Sequence, residues 1–104
     1  MTLEVLRWDP GRDGELSEAS LRRKLEALGY RCTRFDYPPG TFFARHTHGV
    51  DKMDAVLSGR FLIRVAGKSV ILGPGDMLAV PAGLAHSAEV LSAEPVVSLD
   101  GVAG

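Results

Sequence analysis

The chain has a single cysteine, Cys32, so an internal disulfide is impossible and a free thiol in a reducing compartment such as the cytoplasm is expected. It has no apolar run near the roughly 20 residues needed to cross a bilayer. The opening Met1-Thr2-Leu3-Glu4 carries neither a basic nor an apolar leader segment, so no signal peptide is expected. No charge of one sign dominates: 12 Lys and Arg oppose 13 Asp and Glu. The longest basic stretch is Arg22-Arg23-Lys24. That balance argues against nucleic acid as a partner, just as the short apolar runs argue against a membrane. Histidine occurs only three times.

Turn-forming residues, by contrast, are plentiful. Twelve glycines and six prolines are scattered through 104 residues, the distribution of turn punctuation in an all-β domain; a linker would cluster them. The length fits one domain, and area scaling for 11.1 kDa buries about 65% of the unfolded surface, enough for a core without staples.

One stretch has helical periodicity. Between Ser17 and Leu28, Leu21, Leu25 and Leu28 recur on one face, Ser17 or Ser20 is the N-cap, and Gly29 suits the position after the last turn. Residues 1–29 are therefore expected to form a strand (Thr2–Trp8) and a helix packed on a barrel of residues 30–104. In that barrel Tyr30–Tyr37 alternates in strand fashion up to Pro38-Pro39-Gly40. Short runs then follow at Thr41–Thr47, Met53–Leu57, Arg60–Val65, Ser69–Leu72, Met77–Val80, His86–Leu91 and Val96–Leu99. Ser58-Gly59 and Gly67-Lys68 are spaced for hairpins.

His46 and His48 are two apart, and in a strand such residues share a face. His86 opens a later strand after Pro81-Ala82-Gly83. Two same-face imidazoles and a third brought in by the fold suffice to hold a divalent transition metal, because neutral imidazole donates without adding charge. The same phase counting puts Phe42 and Ala44 on the face of His46 and His48, Val56 on that of position 52, and Ala88 and Val90 on that of His86. Phe42, Val56, Ala88 and Val90 are accordingly the expected pocket walls, with Phe43 and Phe61 assigned to the core.

The glycine and proline spacing sharpens this. Gly40 precedes His46 by five intervening residues; His48 is followed by three residues, Lys52, six residues and Gly59. Gly75, five residues, Pro81-Ala82-Gly83, two residues and His86 form a second block. The pattern resembles the two motifs of the cupin superfamily, G-x5-H-x-H-x(3,4)-E-x6-G and G-x5-P-x-G-x2-H-x3-N, over Gly40–Val90. The resemblance implies an all-β fold: a small antiparallel double-stranded β-helix, or jelly-roll barrel, with one N-terminal helix outside. It also implies one divalent transition ion (Fe, Mn, Ni, Zn or Cu) on His46, His48 and His86. A small-molecule ligand and a homodimer are the partners it suggests.

Two marked positions depart from the family pattern: Lys52 replaces the glutamate and Val90 the asparagine. An ammonium about 4 Å from a divalent ion costs on the order of 8 kcal/mol at an effective dielectric near 20, so Lys52 must swing away, pair with a carboxylate or lose its proton. Asp51 and Asp54 are its sequence neighbours. Asp54 shares its face, and Asp51 reaches inward only through a bulge. Two functions fit. One is a mononuclear metalloenzyme, dioxygenase- or isomerase-like, with Lys52 or Asp54 transferring protons. The other is a non-catalytic small-molecule-binding or sensor protein, assisted by a metal or an anion, its metal-free form having Lys52 in the ligand's place.

Overall fold

The computed structural model describes residues 3–104. Two antiparallel sheets face each other as a jelly-roll barrel. In chain order the elements are β1 (Val5–Leu6), α1 (Pro10–Asp13), α2 (Glu18–Ala27), β2 (Tyr30–Tyr37), β3 (Phe42–His46) and β4 (Lys52–Ser58). There follow β5 (Phe61–Val65), β6 (Lys68–Leu72), β7 (Met77–Val80), β8 (His86–Val90) and β9 (Val96–Ala103). One sheet has the order β1-β7-β4-β9-β2 and the other β3-β8-β5-β6.

The inner faces of both sheets form the main core, in which Val56, Ile63, Leu72, Leu78, Val80 and Val96 are buried. A second core lies on the far side of the five-stranded sheet, where Leu21 and Leu25 of α2 pack on Met53, Ala55, Met77 and Leu99. Both leucines are fully buried, and each contributes roughly 1.5–3 kcal/mol by burial. Leu28 is the C-cap, its side chain 47% exposed, so the helical stripe stops at Leu25. At the start of α2 the two candidate caps act together: the Ser17 side chain accepts from the Ser20 backbone N–H, and the Ser20 hydroxyl accepts from the Ser17 N–H. Arg22 reaches across to the Cys32 carbonyl and Lys24 to Asp13, so much of the basic cluster ties the helix down.

Four features differ from expectation. Ser58-Gly59 makes no hairpin, because β4 and β5 lie in different sheets and do not pair. The first strand is only Val5–Leu6, Thr2 lying outside the described residues. A second, single-turn helix follows it: Asp9 caps Pro10–Asp13, with proline in the first turn where its missing N–H costs nothing. The last strand runs four residues past Leu99, to Ala103.

Gly59, between β4 and β5, has φ +84°, and a Cβ there would stand 2.7 Å from the Pro95 carbonyl oxygen and 2.9 Å from Val96 Cα. The motif needs glycine here for close approach of two backbones as well as for its left-handed conformation.

Candidate metal centre

His46 is the last residue of β3 and pairs directly with His86, the first of β8. His48 lies just past the strand, where its carbonyl accepts from the Gly83 N–H at 2.9 Å. Asp51 Oδ1 accepts from the Ala82 N–H at 2.8 Å, so the loop carrying His48 is pinned at both ends to the Pro81-Ala82-Gly83 turn. That is how the second motif block positions the first. Asp51 is thus a loop clamp on the turn's backbone.

The three rings gather with centroids 4.4–5.1 Å apart. One nitrogen from each lies within 4.8 Å of the others. His46 Nδ1 is 2.6 Å from the Ala44 carbonyl and His86 Nδ1 is 2.9 Å from that of Leu84. Donation to those carbonyls fixes the proton on Nδ1 and leaves each Nε2 as a lone-pair donor. His46 Nε2 and His48 Nε2 are 3.2 Å apart. Two nitrogens each about 2.1 Å from one ion stand roughly 3.0–3.4 Å apart for octahedral to tetrahedral angles, so this pair already has ligand spacing. Burial, then the positive field of Lys52, hold the His48 pKa below its ordinary value, which keeps that ring neutral and able to ligate. The donor set fits a transition metal.

The imidazoles open on a cavity of about 140 Å³ lined by Tyr37, Phe43, Phe61, Ala88, Lys52, Asp54 and Asp100. That is below the roughly 300–1,000 Å³ of drug-sized sites and restricts a ligand to a small molecule. Ala88 stands where phase counting put it. Phe42 does not: it is 59% exposed on the outside, and Phe43 takes its place against Tyr37 and Phe61, at centroid distances of 4.9 and 6.3 Å. The cause is a register shift between Phe43 and His46, which reverses the alternation that counting back from His46 assumes. Val56 and Val90 do face inward, but both are buried in the main core and neither lines the cavity.

The Lys52 ammonium donates to Asp100 Oδ2 at 2.6 Å, and both side chains are largely shielded from solvent. Asp100 lies on β9 directly opposite Asp54 on β4. Asp54 carries a carboxyl whose pKa is pushed up to about 7, first by burial and then by the Asp100 charge. Tyr37 is raised to about 12, again by burial and then by Asp100, and stays a phenol. Asp100 is the functional candidate that phase counting overlooks. It sits in Asp100-Gly101, a turn signal in sequence, whereas Gly101 here is mid-strand and packs under Tyr30 and Met53.

A sequence profile described as "Cupin domain" matches residues 33–102. Among solved structures, the chain is similar to a conserved protein of unknown function from Streptococcus pyogenes, at 25% identity and TM-score 0.62, covering 72% of this chain and 64% of that one. It also resembles KdgF from a Halomonas species, at 22% identity and TM-score 0.63, covering 73% and 70%. A third likeness is to a DMSP lyase structure, at 28% identity and TM-score 0.65, covering 72% of this chain but only 38% of that one. No curated protein matches.

Proposed function

The chain belongs to the cupin family, and on that premise we propose that it is a small metal-binding cupin, a mononuclear metalloenzyme acting on a small organic molecule. The observation that carries this reading is the pair of Nε2 atoms 3.2 Å apart, with two of the three Nδ1 positions anchored on backbone carbonyls. The likeness to a DMSP lyase supports catalysis as a role for such a barrel.

His46, His48 and His86 would hold one Fe, Mn, Ni, Zn or Cu ion. Such an ion supplies Lewis-acid polarisation of a coordinated ligand. Asp54 is the group suited to move a proton, because a carboxyl that titrates near neutrality both gives and takes one at working pH. Lys52, held in place by Asp100, acts as a donor to substrate oxygens. Phe43, Phe61 and Ala88 exclude water from the far wall.

The alternative, a metal-free binding or sensor protein with Lys52 as the internal cation, draws on the lysine at position 52. The ion pair to Asp100 weakens it, since that ammonium already has its partner. Elemental analysis after purification separates the two, with about one transition metal per chain expected in the wild type and a large loss in His46→Ala. Protein that is metal-free and takes up no added Fe(II), Mn(II), Ni(II), Zn(II) or Cu(II) overturns the metalloenzyme.

The same reading includes a homodimer in the cytoplasm. Its support is β2, a sheet edge of eight residues with unpaired backbone groups, together with Phe42, Ile71 and Leu91, which are exposed hydrophobic side chains. A light-scattering mass near 11 kDa would count against it. Among the described residues no helix is long and apolar enough to cross a membrane.

A further inference from the structure

Beside the metal cavity, with His86 lining both, lies a groove of about 380 Å³ around the β5–β6 turn, whose polar lining is otherwise Arg45, Arg64, Lys68, Ser69 and Ser87. We propose that this groove is a second ligand site, one that binds a phosphoryl group. Strand register sets Ser69 opposite Arg64 and Arg64 opposite Ser87, so the guanidinium stands between two hydroxyls in one row across β6, β5 and β8. Directly opposed residues have Cβ atoms about 5 Å apart, within reach of a common ligand.

Arg45 joins the row through the same irregularity that displaces Phe42. Ala44 and Arg45 fall between the paired residues Phe43 and His46, while only Ser87 falls between their partners Ala88 and His86. Two residues against one is a bulge, a device that re-aims a side chain. On the other side, Ala66 and Gly67 form a two-residue turn with φ of +53° and +73°. Ala66 is the one non-glycine residue with positive φ among those described, and a Cβ there costs about 1–2 kcal/mol. The strained turn fixes Lys68 at the rim of the groove.

The three cations are poorly compensated. Glu89 approaches Arg64 only to 3.8 Å, beyond hydrogen-bond range, and Arg45 and Lys68 form no ion pair among the described residues. In a chain of net charge −1, three positive side chains around one groove repel one another unless an anion joins them. Two guanidinium forks, an ammonium and two hydroxyls approach from several directions. That donor set suits a tetrahedral dianion, whereas one fork would satisfy a planar carboxylate. His86 is shared with the metal cavity, but none of these five donors is a metal ligand, so metal-free protein tests the groove separately from the metal centre.

The test is a titration of metal-free protein with inorganic phosphate, glycerol phosphate and acetate, with ionic strength held by chloride and backbone amides followed by NMR. Saturable shifts at Gly67, Ser69 and Ser87 with either phosphate are expected, and acetate should bind about tenfold more weakly or less. Tighter binding of glycerol phosphate would assign a phosphate ester as the ligand, and equal binding free phosphate. Arg45→Gln/Arg64→Gln should weaken binding by about tenfold or more. Lys68→Gln, at the exposed first residue of β6, repeats the check with a smaller loss should the double variant fail to fold. The proposal is overturned by the absence of saturation, by acetate binding as well as phosphate, by shifts centred on His46 and His48, which line only the metal cavity, or by variants that bind like wild type.

Discussion

The Lys52 ammonium and the Asp100 carboxylate meet at 2.6 Å across the pair of strands that closes the back of the metal cavity. This pair, with Asp54 opposite Asp100, resolves the difficulty of a lysine where the family places a glutamate. With Asp54 ionised, the three side chains together carry the single negative charge of the residue they replace, but spread over a hydrogen-bonded cluster. Asp100→Asn should leave the ammonium uncompensated and weaken Zn(II) binding on the order of tenfold, as for other residues that support a metal site from behind. Lys52→Met in the same background should recover most of the loss. Competition with a chromophoric chelator measures both.

Lys52→Glu should act in opposite directions on binding and folding. It returns a carboxylate to the cavity, so metal binding tightens. It also sets a third acid beside Asp54 and Asp100, so metal-free protein loses stability, on the order of 1–3 kcal/mol. Unchanged affinity in the same chelator assay would mean that position 52 does not face the ion.

Asp54 makes stability depend on pH in an unusual direction. Its carboxyl titrates near 7 when folded and near 3.8 when free, so folding takes up a proton between those values. Stability therefore falls as pH rises from about 4 to about 7 and is flat above. At about 1.4 kcal/mol per pH unit, the full effect is at most about 4 kcal/mol, and less where the cavity admits water. Asp54→Asn, compared with wild type in metal-free protein by urea denaturation, should gain relative stability across that interval and no further beyond it. A difference independent of pH would contradict the assignment.

Two adjacent phenylalanines should respond very differently to replacement. Phe43→Ala removes contacts with Tyr37 and Phe61 and should cost about 1–3 kcal/mol while enlarging the cavity. Phe42→Ala removes a largely exposed ring and should change monomer stability by less than about 0.5 kcal/mol. Denaturant midpoints for the two variants check the reversed alternation directly.

Gly59→Ala should be among the costliest single-methyl insertions in the chain, about 2–4 kcal/mol. The new Cβ meets the Pro95 and Val96 backbone and also adopts a left-handed conformation. Gly40→Ala, whose φ is +79° but whose surroundings are open, should cost about 1 kcal/mol, which separates the two contributions.

Much of this molecule is legible in its sequence. Glycine spacing located the β5–β6 hairpin at Gly67-Lys68, and the Leu21–Leu25 interval located the helix, because periodicity and turn chemistry act locally. Ser58-Gly59 marks a turn equally well, but whether the chain after it pairs back or crosses to the other sheet is decided by the barrel. Phase counting failed at Phe42 because a bulge inserts a residue without leaving a composition signal, and every assignment beyond it inverts. Asp100 was invisible for a different reason. An Asp-Gly pair is a turn signal taken alone, and only the register of β9 between β2 and β4 keeps the strand extended through it. Tyr37 reaches the cavity through packing across the barrel, which no local pattern encodes.

The place of β9 has a consequence for synthesis. It is made after the eight other strands of the barrel, yet it lies in the middle of its sheet, between β4 and β2. Until residues 96–103 emerge, β2 and β4 have no common partner, Lys52 has no counter-ion, and α2 has no Leu99 to cover. The histidines on β3 and β8 are already out by then, so a growing chain carries its metal ligands before the carboxylate that offsets Lys52. Strand-by-strand assembly in chain order is closed to this barrel, and its nascent form exposes unpaired edges on β2 and β4 until β9 is made, the stage at which a chaperone has most to shield.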